Sequence, residues 1–148
     1  MPDDRALGAP AEAGSGSGVA RVLVALYAVF ALAAGARAGV QLATRFDEAP
    51  VAYLLSALAA VIYLIATVAL ARGPAGRRTA LVAISIELVG VLVVGTLSLA
   101  DPAAFPDETV WSGYGRGYGY VPLVLPLIGL WWLARHKMPQ AREETVGE

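Results

Sequence analysis

Residues 51–71, VAYLLSALAAVIYLIATVALA, contain no charged side chain. A helix needs about 20 apolar residues to cross a hydrocarbon core of ~30 Å, and this run reaches that length without interruption. Three comparable runs accompany it. Together they predict helices over 19–43, 50–72, 79–100 and 117–135. Of the 148 residues, 57% are hydrophobic and 16% charged, and the apolar excess sits in these runs rather than being spread as in a soluble domain. The expected fold is all-α: an integral membrane bundle of four transmembrane helices over 19–136. It is flanked by 1–18 and 137–148, two segments of small and polar residues expected to be disordered cytoplasmic tails.

Orientation follows from basic residues near the run ends, which collect on the cytoplasmic side. Arg21 precedes the first run, Arg72, Arg77 and Arg78 fill the connection between the second and third, and Arg135 and Lys137 follow the fourth. The other side has only Arg45 and Arg116, among Asp47, Glu48, Asp101, Asp107 and Glu108. The N and C termini are therefore expected in the cytoplasm. Ala36-Arg37-Ala38 resembles a signal cleavage site, but the leader is acidic at Asp3 and Asp4 and the run is long, so the first run is expected to remain as a span. Asp47 is expected to cap the second helix, and Asp101-Pro102 to open a short surface helix. Trp111 is expected at the outer interface, with Trp131 and Trp132 at the cytoplasmic one.

Several function classes are disfavoured. There is no cysteine and one histidine, His136, so thiolate chemistry and a His-built metal or haem site have no ligands. The net charge of −1 gives no field for nucleic acid. No nucleophile–base pair or phosphate loop is present. No catalytic residue, cofactor or metal is expected. Asp101, Asp107 and Glu108 form a loose acidic group that reads as solvated surface before it reads as a lipid-directed active site.

Glu87 stands alone inside the third run. A charged side chain at mid-span costs about 2.5–3.5 kcal/mol on insertion scales, so it needs a reason. Tyr63 and Glu87 lie at matching depths, each nine residues from the arginine-rich connection, about 13 Å along a helix. Tyr63 is therefore expected to hydrogen-bond the carboxyl. Arg37, nearer the far interface, can turn outward or reach toward Glu87. Glu87, Tyr63 and Arg37 form the candidate intramembrane polar site. One reading is a protonated carboxyl that fixes helix pairing; the other is a proton- or cation-coupled path. Small or polar residues mark the bundle-facing sides: Ala31, Gly35 and Gly39 in the first run, Ser56, Ala60, Tyr63 and Thr67 in the second, and Ala80, Ala83, Glu87, Gly90 and Val94 in the third.

A helix over 121–134 covers only about 21 Å, so the preceding stretch must supply the rest. It comprises Gly113, Tyr114, Gly115, Arg116, Gly117, Tyr118, Gly119 and Tyr120. Helical, it offers two interleaved GxxxG pairs; extended, it sets tyrosines and Arg116 on one face and bare backbone on the other. Its two Gly-Tyr-Gly triplets lack the Thr-Val of a potassium filter, and Arg116 repels a cation. An outer glycine–tyrosine cap is expected, with glycines against neighbouring helices and tyrosines at headgroup level.

The segments ATRFDEAPVAYLLSALA, ELVGVLVVGTLSLADPAAFPDETVWSGYGRGYGY and VPLVLPLIGLWW resemble a family of small four-helix integral membrane proteins from actinobacteria. Ten arginines against one lysine suit a GC-rich genome. The resemblance covers about residues 20–134. It implies a multi-pass protein of the bacterial cell (plasma) membrane, and no activity or site residues. Small multidrug exporters fit less well, since their acid lies in the first helix. The expected function is that of a non-enzymatic accessory or scaffold subunit, in contact with the lipid bilayer and with itself as a homo-oligomer or with a larger membrane protein. The alternative is a small proton- or cation-coupled transporter or channel using Glu87.

Overall fold

The computed structural model describes the backbone of residues 3–136, with side chains from Gly18 onward. Among them no strand occurs. The helices are α1 (Asp3–Thr44), α2 (Pro50–Ala71), α3 (Arg77–Ala100) and α4 (Val121–Arg135). The backbone of α1 is helical from Asp3, ahead of the expected start at 19. The expected tails, 1–18 and 137–148, otherwise fall outside the residues whose side chains are described.

Gly18–Thr44, α2 and Gly73–Ala100 are each long and apolar enough to cross a membrane. Their exteriors are greasy: Val22, Val29, Leu32, Val61, Leu64, Val82 and Val89 all face outward. The inner faces mix small and polar residues with a few aliphatic ones, among them Ile62, Leu70 and Ile84. In α1 these are Leu23, Tyr27, Ala34, Ala38 and Gln41, which recur on one helical face. In α2 they are Ser56, Ala59, Tyr63 and Ala66, and in α3 Ala80, Ala83, Glu87, Val91 and Val94.

α2 opens at Pro50 with Ala49 as its N-cap. Asp47, the expected cap, lies one turn earlier in a short 3-10 helix, Phe46–Glu48. Proline at the first helical position loses no hydrogen bond, because that amide is unpaired in any helix. The α2–α3 hairpin closes through a 3-10 turn at Gly73–Gly76, with Gly73 at φ +64°. At Gly76 a Cβ would strike the Ala69 carbonyl, so only glycine lets the turn fold back this tightly.

The fourth helix differs from its expected range of 117–135. It starts at Val121 and is preceded by two 3-10 turns, Ser112–Tyr114 and Arg116–Tyr118, bent by 99° from it. Stretch 113–120 is thus neither an α-helix nor a strand. Gly113, Tyr114, Gly115, Gly119 and Tyr120 all take positive φ. An α-helix cannot pass through several left-handed residues.

Candidate functional site

Glu87 is enclosed at the centre of the bundle, with 0% of its surface exposed. Its Oε2 accepts a 2.7 Å hydrogen bond from the Tyr27 hydroxyl of α1, and its Oε1 has no partner. Tyr27 also lies beside Gly129 of α4, where a Cβ would come within 3.7 Å of the hydroxyl. One hydrogen bond therefore ties α1 to α3 beside Gly129 of α4.

Tyr63, the expected partner, is buried beside this pair but bonds elsewhere. Its ring centroid is 6.1 Å from that of Tyr27, and its hydroxyl accepts a 2.9 Å hydrogen bond from the Trp111 indole N–H. Equal depth brought Tyr63 near the carboxyl; the direction it faces on α2 gave it to Trp111. Trp111 itself is 2% exposed, so it is no interfacial belt residue. It fits because α3 carries glycine at position 90, where a Cβ would meet the indole ring at 2.6 Å.

The segment that carries Trp111 enters the bundle as irregular backbone, which at such depth must have its amides satisfied by protein. Five consecutive amides find partners. Thr109 N–H donates to Ser112 Oγ at 2.8 Å, Val110 N–H to Ser56 Oγ at 3.3 Å and Trp111 N–H to Thr109 Oγ1 at 3.0 Å. Ser112 N–H donates to the Thr109 carbonyl at 3.3 Å and Gly113 N–H to Ser98 Oγ at 2.9 Å. Hydroxyls supplied by α2, by α3 and by the segment itself replace a helix's own carbonyls.

The glycine–tyrosine stretch divides. Gly113 and Gly115 are buried, the latter so close to Pro122 that a Cβ would clash. Gly117, Gly119, Arg116 and Tyr120 are exposed. The Tyr114 hydroxyl shares a 2.9 Å hydrogen bond with Thr96, and its ring occupies the space left by Gly95. Tyr118 packs its ring 5.7 Å from Phe30 and accepts from Arg37 Nη1 at 3.2 Å. Arg37 thus belongs to the exposed rim and not to Glu87. Of the acidic group, Asp107 accepts from Tyr53 at 3.0 Å and Glu108 pairs with Arg116 at 2.9 Å, half exposed, a pair worth little in stability.

Of this centre, Tyr27 is the member that the sequence reading did not select, and Trp111, expected at the outer interface, is buried in it instead. Tyr27 had a detectable signal. It stands six residues past Arg21, about 9 Å up the helix, and a phenol extends far enough to close the remaining difference in depth from Glu87. No family model, no curated protein and no solved structure matches this chain.

Proposed function

We propose that the chain is a multi-pass protein of the bacterial plasma membrane, with four spans and both termini cytoplasmic, and that it acts as a non-enzymatic accessory or scaffold subunit. Four spans are supported by α4 together with the segment before it. The 15 residues of α4 rise about 22 Å, and the mostly buried 109–115 segment ahead of it packs as irregular backbone against Ser56 of α2 and Ser98 of α3. The arginine distribution supports the orientation.

The observation that carries the scaffold reading is an open groove of about 420 Å³ between α1 and α2, floored by Ala31, Gly35 and Ala60 and rimmed by Leu32 and Leu64. Small residues let a second helix approach closely, which is the main source of attraction between helices in lipid. At Gly35 a Cβ would meet only Ala60 Cβ, at 3.8 Å, an ordinary contact. Gly35→Leu should therefore leave the fold intact while filling the groove. Purified in mild detergent, the wild-type protein should carry a stoichiometric partner or a second copy, and Gly35→Leu should lose it. A wild-type protein that is monomeric and alone would count against the reading. Single cysteines at Ala75 and Pro106, labelled in intact cells, test the topology: position 106 should react from outside and position 75 should not.

The second reading, a proton- or cation-coupled function at Glu87, is favoured by the unpartnered Oε1. The complete enclosure of the side chain favours the structural role. Glu87→Gln separates them. A structural Glu87 leaves assembly and stability near wild type; a coupled one loses pH-dependent flux in proteoliposomes.

A further inference from the structure

A second groove opens on the α2–α3 hairpin at its arginine-rich end. It holds about 310 Å³ and is lined by Leu64, Ile65 and Val68 of α2, by the C-cap residue Arg72, and by Gly76 and Thr79, among others. Ligand pockets run from about 300 Å³ upward. Leu64, Val68 and Arg72 follow one another at intervals of four residues and so form a row along one face of the helix. The row is about 12 Å long, most of the ~15 Å depth of a single leaflet of hydrocarbon. Its apolar part is open to the surroundings: Leu64, Ile65 and Val68 are 55%, 42% and 46% exposed.

The row stays apolar until it ends in a cation, at the point where the apolar span Pro50–Ala71 stops. An occupant that matches it end to end has hydrocarbon against Leu64 and Val68 and a negative group level with Arg72. The charge around that end is of one sign. Arg21, Arg72, Arg77, Arg78 and Arg135 stand there, and no Asp or Glu occurs within 18–26, 64–86 or 121–136. Arg77 is engaged elsewhere, donating through Nη2 to the Leu133 carbonyl of α4 at 3.1 Å. Arg72 and Arg78 are exposed, and neither is in an ion pair among the described residues. Thr79 adds a hydroxyl to the lining. The α1–α2 groove differs on each count: Ala31, Gly35 and Ala60 make a small floor, and no charged residue lines it. A small floor admits a helix backbone, whereas the longer side chains of Leu64, Ile65 and Val68 hold a helix off and accept a flexible chain.

We propose that this groove is a binding site for an anionic phospholipid, with an acyl chain along Leu64 and Val68 and the headgroup phosphate at Arg72. Basic pockets between transmembrane helices are a recurrent way of holding anionic headgroups. One arginine near the membrane surface gives roughly a fivefold preference for such a lipid, from about 1 kcal/mol per charge. The site does not rest on the scaffold reading. The two grooves share only Leu64, so Gly35→Leu should leave lipid binding unchanged.

The test is native mass spectrometry of the full chain in mild detergent, titrated with dioleoyl phosphatidylglycerol or dioleoyl phosphatidylcholine. The first phosphatidylglycerol should bind about fivefold or more tightly than the first phosphatidylcholine. Arg72→Gln should remove about fivefold of that preference, and Arg72→Lys should keep it. Arg135→Gln takes a charge from the same end but outside the groove, and should change the preference little. Val68→Trp fills the groove from an exposed position and should lose the first bound lipid of either headgroup. An unchanged melting temperature in detergent shows that each variant is folded. Equal binding of the two lipids, or equal losses in Arg72→Gln and Arg135→Gln, would leave only a diffuse basic surface and overturn the proposal. Phosphatidylglycerol bound by Val68→Trp as by wild type would overturn it too, as would a lipid-free dimer that Val68→Trp dissociates.

Discussion

Tyr27→Phe should destabilise the bundle more than one membrane hydrogen bond usually does. Such bonds average about 0.6 kcal/mol in double-mutant cycles, with a maximum near 1.7, because the groups usually find other partners. Glu87 has none: its Oε1 is already bare, its Oε2 has only the Tyr27 hydroxyl, and no part of it touches solvent. Removing the phenol leaves the whole carboxyl unpaired in an apolar interior, which costs about 1–3 kcal/mol. Glu87→Leu leaves the Tyr27 hydroxyl stranded and should cost a similar amount. The double mutant Tyr27→Phe/Glu87→Leu removes both polar groups and should fall within about 1 kcal/mol of wild type, because paired polar groups replaced together by apolar ones are nearly neutral. The coupling energy should then be on the order of 2 kcal/mol, with the double mutant more stable than the sum of the single changes. Equilibrium unfolding in mixed micelles, titrated with a denaturing detergent, measures all four corners. Tyr63→Phe provides the contrast. It should couple to Trp111→Phe, and to Glu87 only weakly, because its hydroxyl is taken by the indole. If Glu87 couples more strongly to Tyr63 than to Tyr27, the assignment of the hydrogen bond is wrong.

Two further perturbations address the inserted segment. Gly90→Leu places a Cβ against the Trp111 ring; it should cost about 1–3 kcal/mol by overpacking and red-shift Trp111 emission in a Trp131→Phe/Trp132→Phe background, whereas unchanged emission would show that Trp111 does not rest there. Ser98→Ala strips the Gly113 amide of a 2.9 Å partner and Ser56→Ala strips the Val110 amide of a 3.3 Å one; the first should cost about 1–2 kcal/mol, more than the second, with faster hydrogen exchange at the affected amide, and equal exchange in both variants and wild type would refute the bonding scheme.

Length and hydropathy were enough to read the first three helices from the sequence, because a run such as 51–71 has few other folds open to it; the fourth is shorter than the expected 117–135, since α4 begins only at Val121 after a 99° bend. The small and polar stripes marked the inward face of α3 and part of that of α2, where Ser56, Tyr63, Ala80, Ala83, Glu87 and Val94 are buried; the α1 stripe did not, since Gly39 is exposed and Ala31 and Gly35, with Ala60 and Thr67 of α2, line an open outer groove. Partner choice was less legible. Counting residues from Arg72 and Arg78 measures depth along a helix but not the direction a side chain faces around the bundle, and direction paired Glu87 with Tyr27 instead of Tyr63. The insertion of 109–115 was harder still. Thr109, Val110, Trp111 and Ser112 carry no helical period, and the amides that tie the segment to the helices, those of Val110 and Gly113, find their partners far off in sequence at Ser56 and Ser98. The available signal was indirect: two serines within apolar helices, and Gly90 and Gly95 spaced along α3 where a bulky neighbour had to fit. The glycines of 113–120 left a helix and an extended chain equally open, and the stretch took neither, because Gly113, Gly115 and Gly119 adopt positive φ. Its tyrosines gave no hint that Tyr114 and Tyr120 would also adopt positive φ.

The scaffold proposal is tested most directly by a photo-crosslinking amino acid placed at Leu32, on the rim of the α1–α2 groove and 75% exposed. Val89, 61% exposed on α3 and outside that groove, serves as the control. Irradiated in native membranes, the Leu32 probe should give one discrete protein adduct, either a second copy of the chain or a single partner. That adduct should disappear in Gly35→Leu, and the Val89 probe should label only lipid. Lipid-only labelling at both positions would mean that nothing but bilayer occupies the groove, and would contradict the account.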